Sequence, residues 1–366
     1  MHSIIRATWL ILCLSLCNAL FAQTAPPPPS EKPAEQVYKN IQILKGTPAN
    51  QITPSMQFMS SSLGVRCDHC HVEGAFEKDD KKPKQTARAM MKMVAQLNQS
   101  DFKGQKGVTC YSCHRGALRP RRTPAVLDQN APPRRASATT LAEGAADKTA
   151  FNNLIQAAGG SSALEAITSQ VATGSMDLGN EVRFPIEILL KRPGMRSMIV
   201  HLPNGDSVEV ESGESGWSVV PGRPLHVMSR QEVEAAWADA NPVFLEQLAS
   251  KFAEVRVQTD KEIEGKKVTA IRAGNPNQVP VRLYVDQQTG LLLRIVHYVE
   301  TPLGRNPTQL DYSDYRDVAG TKQPFHWTVS TPQGHYAVQL EKVEVNVPLP
   351  DSRFAKPQAD NSPGGH

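Results

Sequence analysis

The chain has 366 residues, of which 40% are apolar and 21% are charged, and its formal net charge is +4. This length suffices for two globular domains, and the composition excludes a wholly disordered chain. The weak positive charge is not accompanied by any nucleic-acid-binding motif, so we predict no nucleic-acid partner.

The first 22 residues have the pattern of a secretory signal peptide. Arg6 precedes an apolar run from Ala7 to Leu20 that is too short to span a bilayer, and Ala22 is small enough for cleavage after it. Two alternatives stay open: an uncleaved anchor, because Leu20 is large for its position, and lipid attachment at Cys17. We predict a location in the periplasm, or at the periphery of the outer face of the cytoplasmic membrane.

The composition changes along the chain and predicts five further parts. A proline-rich spacer covers 23–33, and a linker rich in proline and arginine covers 118–146. Between them, 34–117 has helical patterns and long loops, whereas 147–357 is rich in strand patterns. A disordered tail is predicted at 358–366. The predicted fold class is α+β with several domains: a small, mostly helical domain and then an antiparallel β-rich domain with a few helices.

Three helices are predicted in the first domain. Val37, Ile41 and Leu44 recur at helical spacing and indicate the first. The second extends over 53–64, with Thr as its cap, Pro in its first turn and Gly at its end. The third covers about 85–98 and places several apolar side chains on one face.

The second domain is predicted to begin with a helix and to continue as strands. Asp147 caps the helix, which ends before Gly159. Apolar and polar residues alternate in 281–285 and 291–295 on either side of a short turn, which predicts an antiparallel hairpin. Further strands are predicted at 186–190, 198–202, 208–210, 217–220, 268–271, 327–330 and 337–345. Two more helices are predicted at the Ser229-x-x-Glu232 capping box and at Asn241-Pro242.

The pattern Cys-x-x-Cys-His occurs twice in the first domain, at 67–71 and at 110–114. This is the attachment pattern of c-type haem, in which two thiols bind one porphyrin and the histidine is the proximal ligand of the iron. We therefore predict two covalently bound haems. The attachment residues are Cys67, Cys70, Cys110 and Cys113, and the proximal ligands are His71 and His114.

Other uses of four cysteines stay open. A zinc site with four thiolates is one, although 71–109 is longer than the ~15–20 residues that usually separate two zinc-binding pairs. The histidine that follows each pair has no role in such a site. Paired disulfides or redox dithiols are a further alternative, because an exported protein meets an oxidising environment.

The ligand on the other side of each iron decides between an electron carrier and an enzyme. In 34–120 the only additional histidine is His69, which lies inside the first motif, whereas methionines are frequent on the two helices that precede the motifs. A methionine ligand raises the reduction potential of the iron and prevents small molecules from binding to it, which favours an electron carrier over a catalyst. An open site would instead indicate a peroxidase or reductase. The favoured ligands are Met56 and Met90, followed by Met59 and Met93.

Three arginines flank these elements and could pair with haem propionates. They are Arg66, Arg88 and Arg115. Arginine forms strong bidentate hydrogen bonds with carboxylates, although an exposed arginine is more often solvated.

The N-terminal pattern resembles the cytochrome c subunit of photosynthetic reaction centres. The resemblance rests on 37–46, on both haem motifs with their flanks at 108–116, and on Ala87-Arg88-Ala89-Met90, about a quarter of the chain. In that family a helix with the axial methionine precedes each of the first motifs, which implies Met56 and Met90. The resemblance also implies electron transfer with redox protein partners, such as a membrane-bound complex.

This chain departs from the family's best-known members in two ways. Those members carry four haems and re-reduce the photo-oxidised pigment of a reaction centre, whereas this chain has two motifs. Its segment from Met56 to Cys67 is also slightly shorter. The resemblance therefore implies one-electron transfer without implying photosynthesis.

The C-terminal sequence resembles the half-barrel domains of periplasmic lipoprotein carriers. The similarity lies in 284–293 and 311–325. It implies a half-barrel-like sheet that holds a lipid or an acyl chain, or that docks the first domain to a partner. A lipid-binding protein with accessory haems is thus an alternative function.

Overall fold

The structure is a computed structural model that describes residues 32–120, 145–146, 149–179, 182–238, 245–250, 252–275 and 279–357. Several predicted features lie outside the described residues. They are the signal peptide at 1–22, nearly all of the spacer and the linker, the Asp147 cap, the Asn241-Pro242 helix start and the tail at 358–366.

Within these residues the chain forms eight α-helices and fourteen β-strands. The helices are α1 (Ala34–Val37), α2 (Ile52–Leu63), α3 (Lys82–Asp101), α4 (Cys110–His114), α5 (Thr149–Ala157), α6 (Ser161–Glu165), α7 (Arg230–Ala238) and α8 (Leu245–Ser250). The strands are β1 (Ala145–Ala146), β2 (Ser169–Asp177), β3 (Arg183–Lys191), β4 (Met195–Leu202), β5 (Gly205–Ser212), β6 (Ser215–Val219), β7 (His226–Val227), β8 (Glu254–Ile263), β9 (Lys266–Gly274), β10 (Val281–Asp286), β11 (Leu292–Thr301), β12 (Gly304–Val318), β13 (Thr321–Thr331) and β14 (Gly334–Val345).

The described strands form one antiparallel sheet in the order β1-β8-β9-β10-β11-β12-β13-β14-β2-β3-β4-β5-β6-β7. Consecutive strands pair within β2–β7 and within β8–β14, since antiparallel neighbours need only short turns. The pairing of β14 with β2 joins the two runs, with Val338 opposite Met176. The strand β1 pairs with β8 and consists of the last two residues of the predicted linker.

The apolar core lies on both faces of the sheet. Leu154 of α5 and Leu245 of α8 pack with strand residues such as Ile271. Leu189 and Leu190 are adjacent in β3 and both are buried, although adjacent strand residues point to opposite faces. The C-terminal segment accounts for this, because its Leu349 and Phe354 pack with Leu189. Within the described residues, no helix is both long enough and apolar enough to cross a membrane.

The α+β fold class and the β-rich second half are confirmed. The predicted hairpin is present as β10 and β11, with Leu283 opposite Ile295. The capping box is also present: the Ser229 amide donates to Glu232 Oε2 at 2.7 Å, and the Glu232 amide donates to Ser229 Oγ at 3.2 Å. Helix α2 ends at Gly64 in a left-handed conformation, as predicted.

Other expectations about the first helices are wrong. The helix expected through Ile41 and Leu44 is the single turn α1, because Asn40 has a φ of 61° and its side-chain Nδ2 donates to Asp79 Oδ1 at 3.0 Å. Helix α2 begins at Ile52, so Thr53 lies inside it and does not cap it. Helix α3 is longer than predicted and extends from Lys82 to Asp101.

Helix α2 is held against two turns of the sheet. Asn306 Nδ2 of β12 donates to the carbonyl of Pro54 at 2.9 Å, in the first turn of α2. In the β13–β14 turn, Gln333 Nε2 donates to the carbonyl of Gln57 at 3.0 Å. The buried Phe58 ring lies against Gly304, where a Cβ atom would overlap it. The sheet therefore fixes the helix on which Met56 lies.

We predict that Gly304→Ala destabilises the folded protein by about 1–3 kcal/mol, the usual cost of overpacking. The added methyl group would collide with the Phe58 ring. Gly334→Ala is the matched control, because its φ of 158° is nearly the same as the 157° of Gly304, yet its Cβ would meet nothing within 4 Å. Urea unfolding of both variants measures the difference, and equal destabilisation would contradict the docking of α2.

Candidate functional site

The first Cys-x-x-Cys-His motif follows α2 directly. After Gly64 the chain is extended at Arg66 and then forms a 3₁₀ turn over Cys67–His69. Cys67 is exposed and Cys70 is half-buried, and both are free thiols. Burial raises the pKa of the Cys70 thiol.

The His71 imidazole is held by the main chain. Its Nδ1 lies 2.9 Å from the carbonyl oxygen of Phe76, and the two aromatic rings are 5.3 Å apart. A carbonyl oxygen can only accept a hydrogen bond, so Nδ1 carries the proton. The lone pair of Nε2 is therefore available to a metal ion.

The second motif repeats this arrangement on a short helix. The Thr109 amide donates to Ser112 Oγ at 3.0 Å, which caps α4 at its start. His114 Nδ1 lies 3.0 Å from the carbonyl oxygen of Ala117. Its Nε2 is again the free nitrogen. Burial raises the pKa of the Cys110 thiol as well.

The two motifs lie close together but stay separate sites. The Gly116 amide donates to the carbonyl of Ser62 at 2.9 Å, and a Cβ at Gly64 would collide with the carbonyl of Gly116. The end of α2 thus leads into the first motif and contacts Gly116, just after the second. In the described part of the chain, no three Cys, His, Asp or Glu side chains are grouped as metal ligands. The four thiols therefore do not form the tetrahedral cluster that a shared zinc ion requires.

The predicted methionine ligands differ in exposure. Met59 is buried, with 8% of its surface exposed, whereas Met56 on the same helix is half-buried. On α3, Met90 is 40% exposed and Met93 is 49% exposed. Met56 and Met90 thus remain available to a bound group, and their ligand role stays a prediction.

Exposed apolar side chains are concentrated in the N-terminal region that contains the two motifs. Of the twelve large exposed apolar residues among the described ones, nine lie between Val37 and Leu118. The thiols, the oriented imidazoles and these exposed apolar side chains together fit the chemistry of a large, flat, apolar group such as a porphyrin.

A charged cluster holds the loop that follows the first motif. Lys84 is 8% exposed and donates from Nζ to the carbonyls of Phe76, Glu77 and Lys78, at 2.9, 3.0 and 2.7 Å. It also lies 3.0 Å from Asp79 Oδ1. Arg88 Nη1 donates to Asp79 Oδ2 at 2.7 Å. Hydrogen bonds from Arg88, then from Lys84 and Asn40, hold the pKa of Asp79 well below its usual range.

The three arginines with predicted propionate contacts are placed differently. Arg88 is engaged by Asp79, and its Nη2 donates to the carbonyl of Asn40 at 3.2 Å. Arg66 and Arg115 are exposed beside the first and second motifs. Propionate pairing stays a prediction for all three, and Arg88 would have to share its guanidinium with Asp79.

Sequence reasoning did not identify Lys84, Asp79 or the two carbonyl acceptors. A lysine next to Pro83 in the first turn of a predicted helix looks like a solvated residue. Main-chain acceptors have no side-chain signature at all. A weak signal was present in the mixed charges of 77–84, which suggest local pairing without naming the partners.

We predict that Asp79→Asn lowers the midpoint temperature of unfolding at pH 7, and that its difference from the parent chain shrinks below about pH 4. Because the pKa of Asp79 is lowered in the folded protein, its ion pairs stabilise the fold above the unfolded-chain pKa of about 3.9. This contribution is lost as acid protonates the carboxyl. Asp80→Asn alters an exposed neighbour and is the control. Thermal unfolding between pH 2 and 7 measures both, and a pH-independent difference would contradict the assignment.

Comparisons with known proteins match the two halves of the chain separately. Residues 14–159 match the family model of the photosynthetic reaction centre cytochrome c subunit. The subunit from Thermochromatium tepidum is 38% identical over 88 residues, which are 23% of this chain and 22% of that protein. Cytochrome c-554 of Chloroflexus aurantiacus is 34% identical over 85 residues, 21% of this chain and 20% of that protein. The chain thus spans about a fifth of the length of these relatives.

Solved structures match the larger part of the chain. A DUF1329 family protein from Desulfovibrio piger has 14% identity and a TM-score of 0.40, covering 57% of this chain and 96% of that chain. A LolA superfamily protein from Nitrosomonas europaea has 12% identity and a TM-score of 0.40, covering 58% and 98%. The N-terminal region therefore resembles the cytochrome c subunit of photosynthetic reaction centres, and LolA superfamily proteins are among the neighbours of the C-terminal region.

Proposed function

We propose that this protein is an exported c-type cytochrome that carries two haems in its N-terminal region and transfers single electrons. The observation that carries the proposal is the repeated arrangement of the motifs. In both, two free thiols precede an imidazole whose Nδ1 is bonded to a main-chain carbonyl and whose Nε2 is free. This is the donor set of a covalently held haem.

The thiols and imidazoles have distinct roles in the proposed sites. Each thiol adds across one vinyl group, with sulfur bonding to one carbon and hydrogen to the other, so attachment needs no oxidant. When bound, the haem iron supplies one-electron chemistry by alternating between its ferrous and ferric forms. His71 and His114 provide the proximal nitrogen. The carbonyls of Phe76 and Ala117 fix the orientation and the tautomer of these rings.

Met56 and Met90 are the proposed ligands on the opposite side. Both lie on helices that precede a motif in the chain, and both are less buried than Met59. A thioether ligand stabilises the reduced state and keeps small molecules from the iron. This is why we favour an electron carrier over a peroxidase or reductase.

The proposed partner is an acidic redox protein or a membrane-bound electron-transfer complex at the outer face of the cytoplasmic membrane. Between 32 and 119 the chain has fourteen Lys and Arg residues against seven Asp and Glu residues. Such an excess attracts acidic surfaces and speeds the encounter. The relatives named for photosynthetic reaction centres support a membrane-bound partner, and the presence of two motifs does not require photosynthesis.

The sheet is proposed to support the haem region and the partner contact. One cavity lies between β2–β4 and β12–β14 and is lined by residues such as Leu190, Arg196 and Trp327. The cavity volume is about 30 Å³, room for about two water molecules. An acyl chain would need this cavity to open, so we do not place the main function there.

We predict that the parent chain, expressed with c-type maturation machinery, retains two haems after denaturation. Cys67→Ala combined with Cys70→Ala retains one haem, and so does Cys110→Ala combined with Cys113→Ala, because each pair attaches its own group. Asp68→Ala alters an exposed residue inside the first motif and should retain two. The pyridine haemochrome assay measures haem per chain. Loss of both haems in one double variant, or a parent chain without covalent haem, would contradict two independent sites.

We predict that Met56→Ala and Met90→Ala each convert one of two low-spin haems to high-spin. Each substitution removes a thioether ligand and leaves the proximal imidazole in place. Met59→Ala and Met91→Ala are the controls on the same helices, and both should remain fully low-spin. Visible and electron paramagnetic resonance spectra measure the spin state. A low-spin spectrum in Met56→Ala or Met90→Ala would exclude that ligand, and a high-spin parent chain would favour a haem enzyme.

A further inference from the structure

The carbonyl oxygen of Phe76 is shared by an imidazole and an ammonium group. His71 Nδ1 and Lys84 Nζ both lie 2.9 Å from this oxygen. We infer that Lys84 is a positioning residue that acts through this carbonyl and raises the reduction potential of the iron bound by His71. The inference rests on the proposed function, since it needs a haem at the first motif.

The ammonium group of Lys84 is fixed by its surroundings. It is buried in the first turn of α3, and its three carbonyl acceptors belong to consecutive residues of the loop after the first motif. This loop also supplies Asp79, which Arg88 and Asn40 hold in place. The charge of Lys84 therefore has a defined position relative to His71.

The shared acceptor has an electronic consequence. A carbonyl that accepts from a cation has less electron density to offer the imidazole proton. The Nδ1–H bond of His71 is then less polarised, so the ring donates less strongly through Nε2. Weaker donation and a nearby positive charge both favour ferrous iron. The Asp79 carboxylate opposes this rise in reduction potential, because its negative charge lies 3.0 Å from the Lys84 ammonium group.

Among the described residues, the second motif lacks this feature. The carbonyl of Ala117 accepts from His114 Nδ1, and no lysine or arginine side chain in the described residues donates to it. The two proximal imidazoles, which are otherwise held alike, thus differ in one cation. A difference of this kind would separate the reduction potentials of two haems that each have one histidine and one methionine ligand.

Two opposite substitutions test the inference on the full-length, haem-loaded protein. Lys84→Met removes the cation, so one of the two midpoint potentials should fall while the other stays unchanged. Asp79→Asn removes the opposing carboxylate, so the same midpoint should rise. Lys92→Met removes an exposed charge from the same helix, and both midpoints should stay unchanged. Spectroscopic redox titration measures the midpoints, and haem per chain is measured on the same samples.

The two substitutions are expected to shift the midpoint potential in opposite directions, and this distinguishes an electronic role of Lys84 from a structural one. If Lys84 only held the loop, either substitution would loosen it and move the potential in the same direction. Shifts of the same sign, or no shift in variants that keep two haems, would overturn the inference and leave the proposed function standing. If Lys84→Met loses its first haem, Asp79→Asn decides: a raised midpoint supports the inference and an unchanged one overturns it. A parent chain without covalent haem would instead refute the proposed function.

Discussion

The hydrogen bond from an imidazole Nδ1 to a main-chain carbonyl occurs twice in this protein, and the proposed chemistry depends on it. The acceptor is Phe76 for His71 and Ala117 for His114. Each bond determines which ring nitrogen is protonated and which is free to bind a metal. Both acceptors lie three to five residues after their histidine, so each turn orients its own ligand without a distant partner.

Helix α2 connects these turns to the rest of the molecule. Its end leads into the first motif and contacts Gly116, just after the second, through Ser62 and Gly64. Pro54, Gln57 and Phe58 contact turns of the sheet. The three apolar clusters of the described chain include no residue between 32 and 119. The N-terminal region therefore has no large apolar cluster of its own and leans on the sheet through α2, and its exposed apolar side chains are left for the proposed haems.

The sequence predicts the parts of this arrangement that have a local pattern. Three such patterns are the Cys-x-x-Cys-His motifs, the alternation of apolar and polar residues in β10 and β11, and the capping box at Ser229. The structure confirms the last two. The helix predicted through Ile41 is wrong because Asn40 bonds to Asp79, a contact between residues far apart in the chain. Lys84 was missed for the same reason, since its importance comes from three carbonyls that only the folded loop brings together.

Intact mass spectrometry of the full-length protein, matured in a host with c-type haem attachment and measured under denaturing conditions, tests the central claim most directly. The proposed function predicts a mature chain that carries the mass of two haems, and one haem after either cysteine pair is removed. A chain of unmodified mass, with the four thiols free to react with an alkylating reagent, would contradict it.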